Sequence, residues 1–176
     1  CPSCGARAWT ADPGGARIAD LTVIIPPRNE AYNVAPLVAR LTKALNHTPT
    51  DILFVDDSND DTPNRIEQIA ENADHPIRVL HRAPEERTGG LGSAVLAGLR
   101  ATASEWAVVM DGDLQHPPEP VPEMLRLGTY QAYYLVVARG YSGTACAHGL
   151  SAAPPSPVPG GHSVLSNALA PRPRPV

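Results

Sequence analysis

Two aspartates separated by one glycine follow an apolar run in the segment 108–120, VVMDGDLQHPPEP. Side chains at positions i and i+2 of an extended chain point to the same side, so Asp111 and Asp113 are expected to lie close together. Two neighbouring carboxylates repel unless one is protonated or a cation lies between them. Mg²⁺ and Mn²⁺ prefer oxygen ligands and often join carboxylates to phosphates. We therefore predict that this pair holds Mg²⁺ or Mn²⁺.

Three neighbours of the aspartate pair extend this prediction. Gln115 continues the alternation and offers another oxygen, so Asp111, Asp113 and Gln115 are predicted to surround one ion. Gly112 lets the backbone approach a ligand closely. His116 is a candidate proton-transfer group or ligand, but a loop histidine bonded to the backbone is the preferred interpretation. A strand-to-helix turn that uses Asp as a turn former remains the structural alternative for the whole segment.

A second acidic cluster, VDDSNDD, occupies residues 55–61. Asp57 is predicted to bind a ligand, because acids that follow the strands of nucleotide-binding sheets accept hydrogen bonds from a ribose or a base. Asp60 and Asp61 precede a Thr-Pro pair that is typical of a helix start. They are assigned to capping, since negative charge is favourable at the amino end of a helix.

A third polar cluster, PPRNE, follows the first apolar run at residues 26–30. Glu30 and Asn29 are expected to face the same cleft as the aspartates, and Arg28 could meet a phosphate. An ordinary capping loop is the alternative, and the cluster taken by itself favours that alternative.

A glycine-rich segment, RTGGLGSAVLAG, covers residues 87–98. Its glycines suggest a phosphate cradle at a helix amino terminus, and Arg82 and Arg87 could neutralise a diphosphate. However, it lacks the lysine before serine of the P-loop pattern and does not follow the first strand. The glycines alone are therefore weak evidence.

Apolar patterns predict the elements that position these clusters. Strands are predicted at 21–25, 51–55, 77–80, 105–110 and 133–137. Helices are predicted at 33–45 with Asn33 as N-cap, at 63–70 with Thr62 as N-cap, at 88–102 and at 119–127. This alternation predicts an α/β fold with a mostly parallel sheet and helices on both faces. Ligands of such sheets bind beyond the carboxyl ends of the strands, which is where the three polar clusters fall.

Length, composition and charge limit the number of domains, the partners and the location that the chain can have. The 176 residues suit one domain, and a net charge of −4 without a basic block argues against a nucleic-acid partner. Residues 1–20 are predicted to be a disordered lead, 21–141 a folded domain and 142–176 a Pro-rich, disordered tail. Three cysteines, no secretory signal and no apolar run of about 20 residues predict a cytoplasmic chain without a membrane span.

The four motifs in this order resemble the family 2 glycosyltransferases with the GT-A fold. The motifs are VIIPPRNEAYNV, ILFVDDSNDDTP, RTGGLGSAVLAGL and VVMDGDLQHPPE. The branch that they resemble includes dolichol-phosphate mannosyltransferase and polyprenyl-phosphate glycosyltransferases, and the resemblance covers residues 21–141. It implies a Rossmann-like GT-A sheet, a UDP- or GDP-sugar donor, a polyprenyl-phosphate acceptor, Mg²⁺ or Mn²⁺, and inversion at the anomeric carbon. A lipid acceptor also implies peripheral contact with the cytoplasmic face of a membrane.

The resemblance also implies roles for individual residues. The implied nucleotide-sugar contacts are Pro26, Arg28, Glu30, Val55, Asp57, Asp111, Gly112, Asp113 and Arg139. The implied metal ligands are Asp111, Asp113 and Gln115, and the implied catalytic residues are the two aspartates. Family members usually have Tyr where this chain has Arg28, and Gly140 falls on a position where they have Arg, with Arg139 one residue before.

Beyond residue 141 the chain departs from the family pattern. The resemblance therefore predicts a fold truncated on its carboxyl-terminal, acceptor side. One alternative is a nucleotide-sugar-binding remnant without catalysis. A metal-dependent phosphatase of the haloacid-dehalogenase type ranks further behind, because its D-x-D motif follows the first strand, which ends here in PPRNE.

Overall fold

The computed structural model describes residues 19–131, 136–138 and 167–171. The strands are Leu21–Ile25 (β1), Thr50–Asp56 (β2), Ile77–His81 (β3), Trp106–Met110 (β4), Val136–Ala138 (β5) and Asn167–Pro171 (β6). The helices are Ala31–Ala44 (α1), Thr62–Ala70 (α2), Gly90–Ala101 (α3) and Val121–Gln131 (α4), and a short 3₁₀ helix, Pro84–Arg87, precedes α3. Among the described helices, none is both long and apolar enough to cross a membrane.

The strands form one sheet in the order β3-β2-β1-β4-β6-β5. The first four strands are parallel, whereas β6 runs antiparallel to both β4 and β5. All five residues of β1 are buried, as expected of a central parallel strand that is covered on both faces. The predicted α/β class with a mostly parallel sheet is confirmed.

Helices cover both faces of this sheet, as predicted. On one face α1, α2 and α4 enclose the larger core through residues such as Leu37, Ile66 and Met124. On the other face α3 packs on β1 and β2, where a smaller cluster includes Ile24 and Val55. Burial of these apolar side chains is the main force that holds the layers together.

Several element boundaries differ from the sequence predictions. Helix α1 begins at Ala31 with Glu30 at the N-cap, so the prediction of Asn33 as N-cap is wrong. Helix α4 spans Val121–Gln131 rather than 119–127, and the fifth strand is Val136–Ala138 rather than 133–137. Strand β6 lies inside the range 142–176, where the Pro-rich composition predicted no strand. Its pairing with β4 is a long-range contact that local composition does not report.

The carboxyl ends of the four parallel strands meet at one edge of the sheet. Strand β1 has β2 on one side and β4 on the other, so the order of strands reverses between β1 and β4. Ligands of open α/β sheets bind at this topological switch point. The loops after β1 and β4 carry the PPRNE and DGDLQH residues, so the fold brings two of the predicted clusters to this point.

Candidate functional site

The loops that follow β1 and β4 touch each other through Glu30 and Gly112. A methyl group added at Gly112 would lie 2.7 Å from Glu30 Oε2 and 3.6 Å from Ile25 Cγ2. Only a residue without a side chain allows this approach, so Gly112 is required here by close contact and not by its backbone angles. The contact brings Glu30 to the aspartates that flank Gly112, at the switch point of the sheet.

Two of the carboxylates at this point, Glu30 and Asp111, have raised pKa values. The pKa of Glu30 is raised mainly because the side chain is partly buried, and the charges of Asp113 and Asp111 raise it further. The Asn33 amide, 3.5 Å from Glu30 Oε2, opposes this shift. Burial and the charge of Asp113 also raise the pKa of Asp111. Excess negative charge in a partly buried site is the electrostatic condition that favours a bound cation.

His116 lies against Asp111 at the same point. Its Nδ1 is 3.2 Å from Asp111 Oδ2, and its Coulombic effect lowers the pKa of Asp111 against the effect of burial. The approach lacks hydrogen-bond alignment, since within the described residues His116 Nδ1 is buried without a hydrogen-bond partner. The preferred prediction of a backbone-bonded loop histidine is therefore not met at this atom.

The chain turns sharply after Asp113 instead of remaining extended. Asp113 Oδ1 accepts a hydrogen bond of 2.9 Å from the Gln115 backbone, and Leu114 has a left-handed φ of 65°. Gln115 is exposed. The expected alternation from Asp111 through Gln115 is therefore wrong, because an Asx turn interrupts it. A role of Gln115 as a metal ligand remains a prediction.

The described residues fit a divalent cation only as a partial shell. No three His, Cys, Asp or Glu side chains within 19–131 converge as a ready-made metal site. Asp111 and Asp113 nevertheless supply oxygen ligands of the kind that Mg²⁺ and Mn²⁺ prefer. Such ions are commonly held by one or two carboxylates together with substrate phosphates. The residues present therefore suit a cation that binds with a diphosphate.

The loops after β1 and β2 are joined by backbone-to-side-chain hydrogen bonds. The Asn29 backbone donates to Ser58 Oγ at 2.8 Å, and Asn29 Oδ1 accepts from the Asn59 backbone at 2.9 Å. The Glu30 backbone donates to Thr62 Oγ1 at 2.9 Å. Because neighbouring polar groups fix both loops, Glu30 is held in place by the start of α2.

Thr62, the first residue of α2, is held in turn by Asp60. Asp60 Oδ1 accepts hydrogen bonds from the Thr62 backbone at 3.0 Å and from its hydroxyl at 2.5 Å. These bonds lower the pKa of Asp60. Asp61 stands at the N-cap but makes no capping bond, and it accepts from Asn64 Nδ2 at 2.7 Å instead. The capping role predicted for both acids is thus carried by Asp60.

Asp57 is buried against Arg82, which follows β3. Arg82 Nε donates to Asp57 Oδ1 at 2.7 Å, and its Nη2 donates to Asp57 Oδ2. The pKa of Arg82 is raised above its ordinary value chiefly by these hydrogen bonds. Arg82 is only 4% exposed. The sequence prediction that Arg82 neutralises a diphosphate is therefore wrong, because the guanidinium is buried and paired.

His81 and Arg87 complete the same corner of the sheet, and sequence reasoning did not identify their contacts. His81 Nδ1 lies 2.5 Å from Asp56 Oδ2. Arg87 donates to Asn59 Oδ1 at 2.6 Å and to the Ser58 carbonyl at 3.1 Å. The signal that could have revealed the first pair is the parallel register, in which Asp56 lies opposite His81.

The remaining residues that were predicted to contact the nucleotide sugar differ in how exposed they are. Pro26 is half-buried and Arg28 is exposed, and both lie in the loop after β1. Val55 is 0% exposed in the smaller core, so its side chain does not line the cleft predicted for the nucleotide. Arg139 lies outside the described residues.

A groove of about 540 Å³ lies beside the site, at the amino ends of α1 and α2. Its lining includes Tyr32, Asp60, Asp61 and Arg65. None of the residues predicted to bind the nucleotide sugar lines it. The chemistry of Glu30, Asp111 and Asp113 therefore identifies the candidate site better than this groove does.

Comparison with solved structures shows the fold class. The mannosyltransferase from Pyrobaculum calidifontis in complex with GDP-Man and Mn²⁺ matches 70% of this chain and 36% of its own chain, with a TM-score of 0.58 and 22% identity. Glucosyl-3-phosphoglycerate synthase from Mycobacterium tuberculosis, solved with Mn²⁺, uridine diphosphate and glucosyl-3-phosphoglycerate, matches 68% of this chain and 43% of its own, with a TM-score of 0.53 and 22% identity. The fold is that of the GT-A glycosyltransferases.

The sequence comparisons then give the family. The family model described as Glycosyl transferase family 2 matches residues 22–148, and the chain belongs to this family. Dolichol-phosphate mannosyltransferase from Pyrococcus furiosus is 38% identical over 107 residues, which cover 60% of this chain and 29% of that protein. Undecaprenyl-phosphate 4-deoxy-4-formamido-L-arabinose transferase from Serratia proteamaculans is 30% identical over 112 residues, which cover 62% of this chain and 34% of that protein. The family resemblance is confirmed, and the chain spans about a third of the length of these relatives.

The raised carboxyl pKa values predict a pH effect on the metal-free protein. A folded-state pKa above the unfolded value means that the folded state binds more protons, so stability is lost as pH rises through that interval. For Glu30 and Asp111 the loss begins at their ordinary pKa values of 4.5 and 3.8 and continues to the raised folded values. Glu119 accepts a hydrogen bond from Arg40, which lowers its pKa against the effect of burial. The lowered pKa values of Asp60 and Glu119 act in the opposite direction, below their ordinary values of 3.8 and 4.5. Thermal melting in chelator should therefore show the melting temperature falling above about pH 4.5.

The variant Glu30→Gln tests this effect, because it removes one titrating group and keeps the size of the side chain. The melting temperature of Glu30→Gln should fall less with rising pH than that of the original chain. Saturating Mn²⁺ should also reduce the fall in melting temperature of the original chain. If the melting temperature changes equally with pH in Glu30→Gln and in the original chain, Glu30 does not contribute to the effect.

Gly112→Ala is expected to disturb the site without unfolding the protein. The new methyl group would collide with Glu30 Oε2, the mobile end of a side chain, so the carboxylate moves and the core does not. We expect roughly tenfold weaker binding of GDP or UDP in the presence of Mn²⁺, since misplaced charged groups lose about 1.4 kcal/mol or more. Calorimetric titration measures this change. Gly92→Ala is the control, because a methyl group there meets nothing within 4 Å, and equal affinity of both variants would refute the prediction.

Proposed function

We propose that this chain takes part in the transfer of a hexose from a UDP- or GDP-sugar to a polyprenyl or dolichyl phosphate, with metal dependence and inversion at the anomeric carbon. The single observation that carries the proposal is the meeting of Glu30 with Asp111, Gly112 and Asp113 at the switch point of a GT-A sheet. Relatives described as polyprenyl-phosphate sugar transferases support the choice of acceptor.

The acidic residues have distinct parts in this proposal. Asp111 and Asp113, with Gln115, would hold Mg²⁺ or Mn²⁺, which when bound neutralises charge on the leaving diphosphate. Asp57 lies after β2, where acids of nucleotide-binding sheets accept hydrogen bonds from the ribose or base. Pro26, Arg28, Glu30 and Gly112 are proposed to line the same cleft, with Arg139 contributing from beyond the described range.

The proposed acceptor determines whether the reaction needs a general base. A phosphate oxygen is already anionic at neutral pH, so it can attack the anomeric carbon without a strong general base. A single displacement at that carbon inverts its configuration. Because a polyprenyl phosphate is a membrane lipid, the proposal includes contact of the protein with a membrane surface, which we place on the cytoplasmic side.

A transfer assay tests the proposed reaction. The chain is incubated with Mn²⁺, GDP-mannose or a UDP-hexose, and a short polyprenyl phosphate in detergent, and the glycolipid product is quantified. Product formation that chelator abolishes and Mn²⁺ restores is the expected result. Absence of transfer above the level of an Asp113→Ala variant would overturn the proposal.

A binding protein without catalysis is the second candidate. Titration with GDP and UDP separates the two: nucleotide binding together with transfer supports the enzyme, and binding without transfer supports the second candidate. The curated relatives reported above are transferases, which favours the enzyme.

A further inference from the structure

Arg82 lies between the candidate nucleotide-binding acid and the glycine-rich start of α3. Besides its two bonds to Asp57, its Nη1 donates to the Glu86 carbonyl at 3.0 Å and to Ser93 Oγ at 2.9 Å. Its Nη2 also approaches the Gly90 carbonyl at 3.5 Å. A guanidinium has five N–H donors, and these five contacts use all of them. Arg82 therefore has no donor left for a ligand.

Asp57, in contrast, retains capacity for a ligand. Each of its carboxylate oxygens accepts one bond from Arg82, and each oxygen has a second lone pair. The paired, planar geometry of a guanidinium and a carboxylate fixes the orientation of the carboxylate as well as its charge. The lone pairs of Asp57 that Arg82 does not use consequently point in directions that Arg82 determines.

The other contacts of Arg82 fix the guanidinium itself. Ser93 Oγ accepts from Arg82 and donates to the Gly90 carbonyl at 2.8 Å, so the first turn of α3 encloses the arginine head. Gly89, with φ of 96°, allows the chain to turn into this helix. The glycine-rich segment thus has a structural task that the phosphate-cradle interpretation did not include.

We propose that Arg82 is a positioning residue that orients Asp57 for the ribose or base of the donor nucleotide and couples this orientation to the start of α3. The inference rests on the proposed function, because it assumes that Asp57 contacts a nucleotide. Lysine cannot replace arginine in this role, since an ammonium is a point charge without the two-pronged geometry that holds a carboxylate plane.

The test is a double-mutant cycle on nucleotide affinity. Dissociation constants for GDP and UDP with Mn²⁺ are measured by calorimetry for the original chain, Arg82→Lys, Asp57→Asn and the double variant. We expect each single substitution to weaken binding of the preferred nucleotide roughly tenfold, and the double variant to bind no more weakly than the weaker single variant. Such non-additivity is the sign of residues that act through each other, whereas a merely structural arginine gives additive losses.

Other outcomes are equally decisive. Affinity of Arg82→Lys equal to that of the original chain, with Asp57→Asn weakened, would overturn the positioning role while leaving the proposed function intact. Absence of GDP and UDP binding by the original chain would overturn the proposed function, and this inference with it. Additive losses would also overturn the inference.

A second, milder variant is used if Arg82→Lys does not fold. Circular dichroism melting first establishes that each variant is folded at the assay temperature. If Arg82→Lys is not, Ser93→Ala replaces it, because this change removes one acceptor of Arg82 and keeps both bonds to Asp57. We expect about a threefold loss of affinity for Ser93→Ala. Unchanged affinity in that folded variant would overturn the coupling to α3.

Discussion

Asp113→Asn is expected to abolish the gain in nucleotide affinity that Mn²⁺ provides and to lower sugar transfer at least 100-fold. Asparagine keeps the size of the side chain and an oxygen that can accept the Gln115 backbone bond, so the turn after β4 is preserved. What is lost is one negative charge beside Asp111 and Glu30. Metal-assisted charge neutralisation is worth several kcal/mol, and about 3 kcal/mol corresponds to roughly 100-fold in rate.

The matched control is Asp74→Asn, which removes one exposed acid from the opposite edge of the sheet, before β3. Calorimetric titration of GDP and UDP with and without Mn²⁺ should give the same metal effect for this control as for the original chain. If Asp113→Asn keeps a metal-dependent gain equal to that of Asp74→Asn, the cation site lies elsewhere.

Gly98→Ala is expected to produce the largest loss of stability among single methyl additions to α3. The new methyl group would lie 2.5 Å from Ile24 Cγ2 and 3.1 Å from Val55 Cγ2. Both neighbours are β-branched, buried side chains of central strands, so neither can rotate away cheaply. Overpacking costs about 1–3 kcal/mol, and the better helix propensity of alanine offsets up to about 1 kcal/mol of it. We expect a net destabilisation of about 1–2 kcal/mol, measured by urea denaturation.

Gly92→Ala in the same helix isolates the steric part of this effect. A methyl group at Gly92 meets nothing within 4 Å, so only helix propensity should act, and the variant should be more stable by up to about 1 kcal/mol. A stability change of the same sign in Gly98→Ala and Gly92→Ala would show that α3 does not pack as closely on β1 and β2 as described.

Substitutions at Gly98 and Gly112 are expected to affect different properties, stability in the first case and nucleotide binding in the second. Gly98 stands against rigid core side chains, whereas Gly112 stands against the end of the Glu30 side chain. The first substitution should therefore change the unfolding free energy with little effect on affinity, and the second should do the opposite. This contrast depends on atomic neighbours, which the sequence does not display for either glycine.

Much of the candidate site could be predicted from the sequence because its signals are local. Short β-branched runs predict buried parallel strands, and polar residues directly after them fall at the carboxyl edge of the sheet. Asp57, Asp111 and Asp113 were predicted as site residues in this way, and their roles remain predictions, whereas the family match confirms the protein class. The same local signals misplaced the N-cap of α1 by three residues, because Glu30 and not Asn33 stands there.

Side-chain partners could not be predicted in the same way. The Arg82 guanidinium was expected to face a diphosphate, but it is buried with Asp57, which lies 25 residues earlier in the chain. Val55 was expected beside the nucleotide, yet the packing of α3 encloses it in the smaller core. Strand β6 was not expected in the tail, because its pairing with β4 and β5 is a long-range interaction that local composition does not report.

The sequence by itself determined the order of strands and helices from β1 to β5, the acids at three strand ends, and hence the chemistry that this edge of the sheet offers. Only the tertiary structure decided that β1 lies between β2 and β4, that Glu30 reaches Gly112, and that Arg82 is fully occupied. The physical reason is the range of the interactions. Periodicity and turn residues report backbone preferences over a few positions, whereas strand order and buried ion pairs arise from packing between segments that are tens of residues apart.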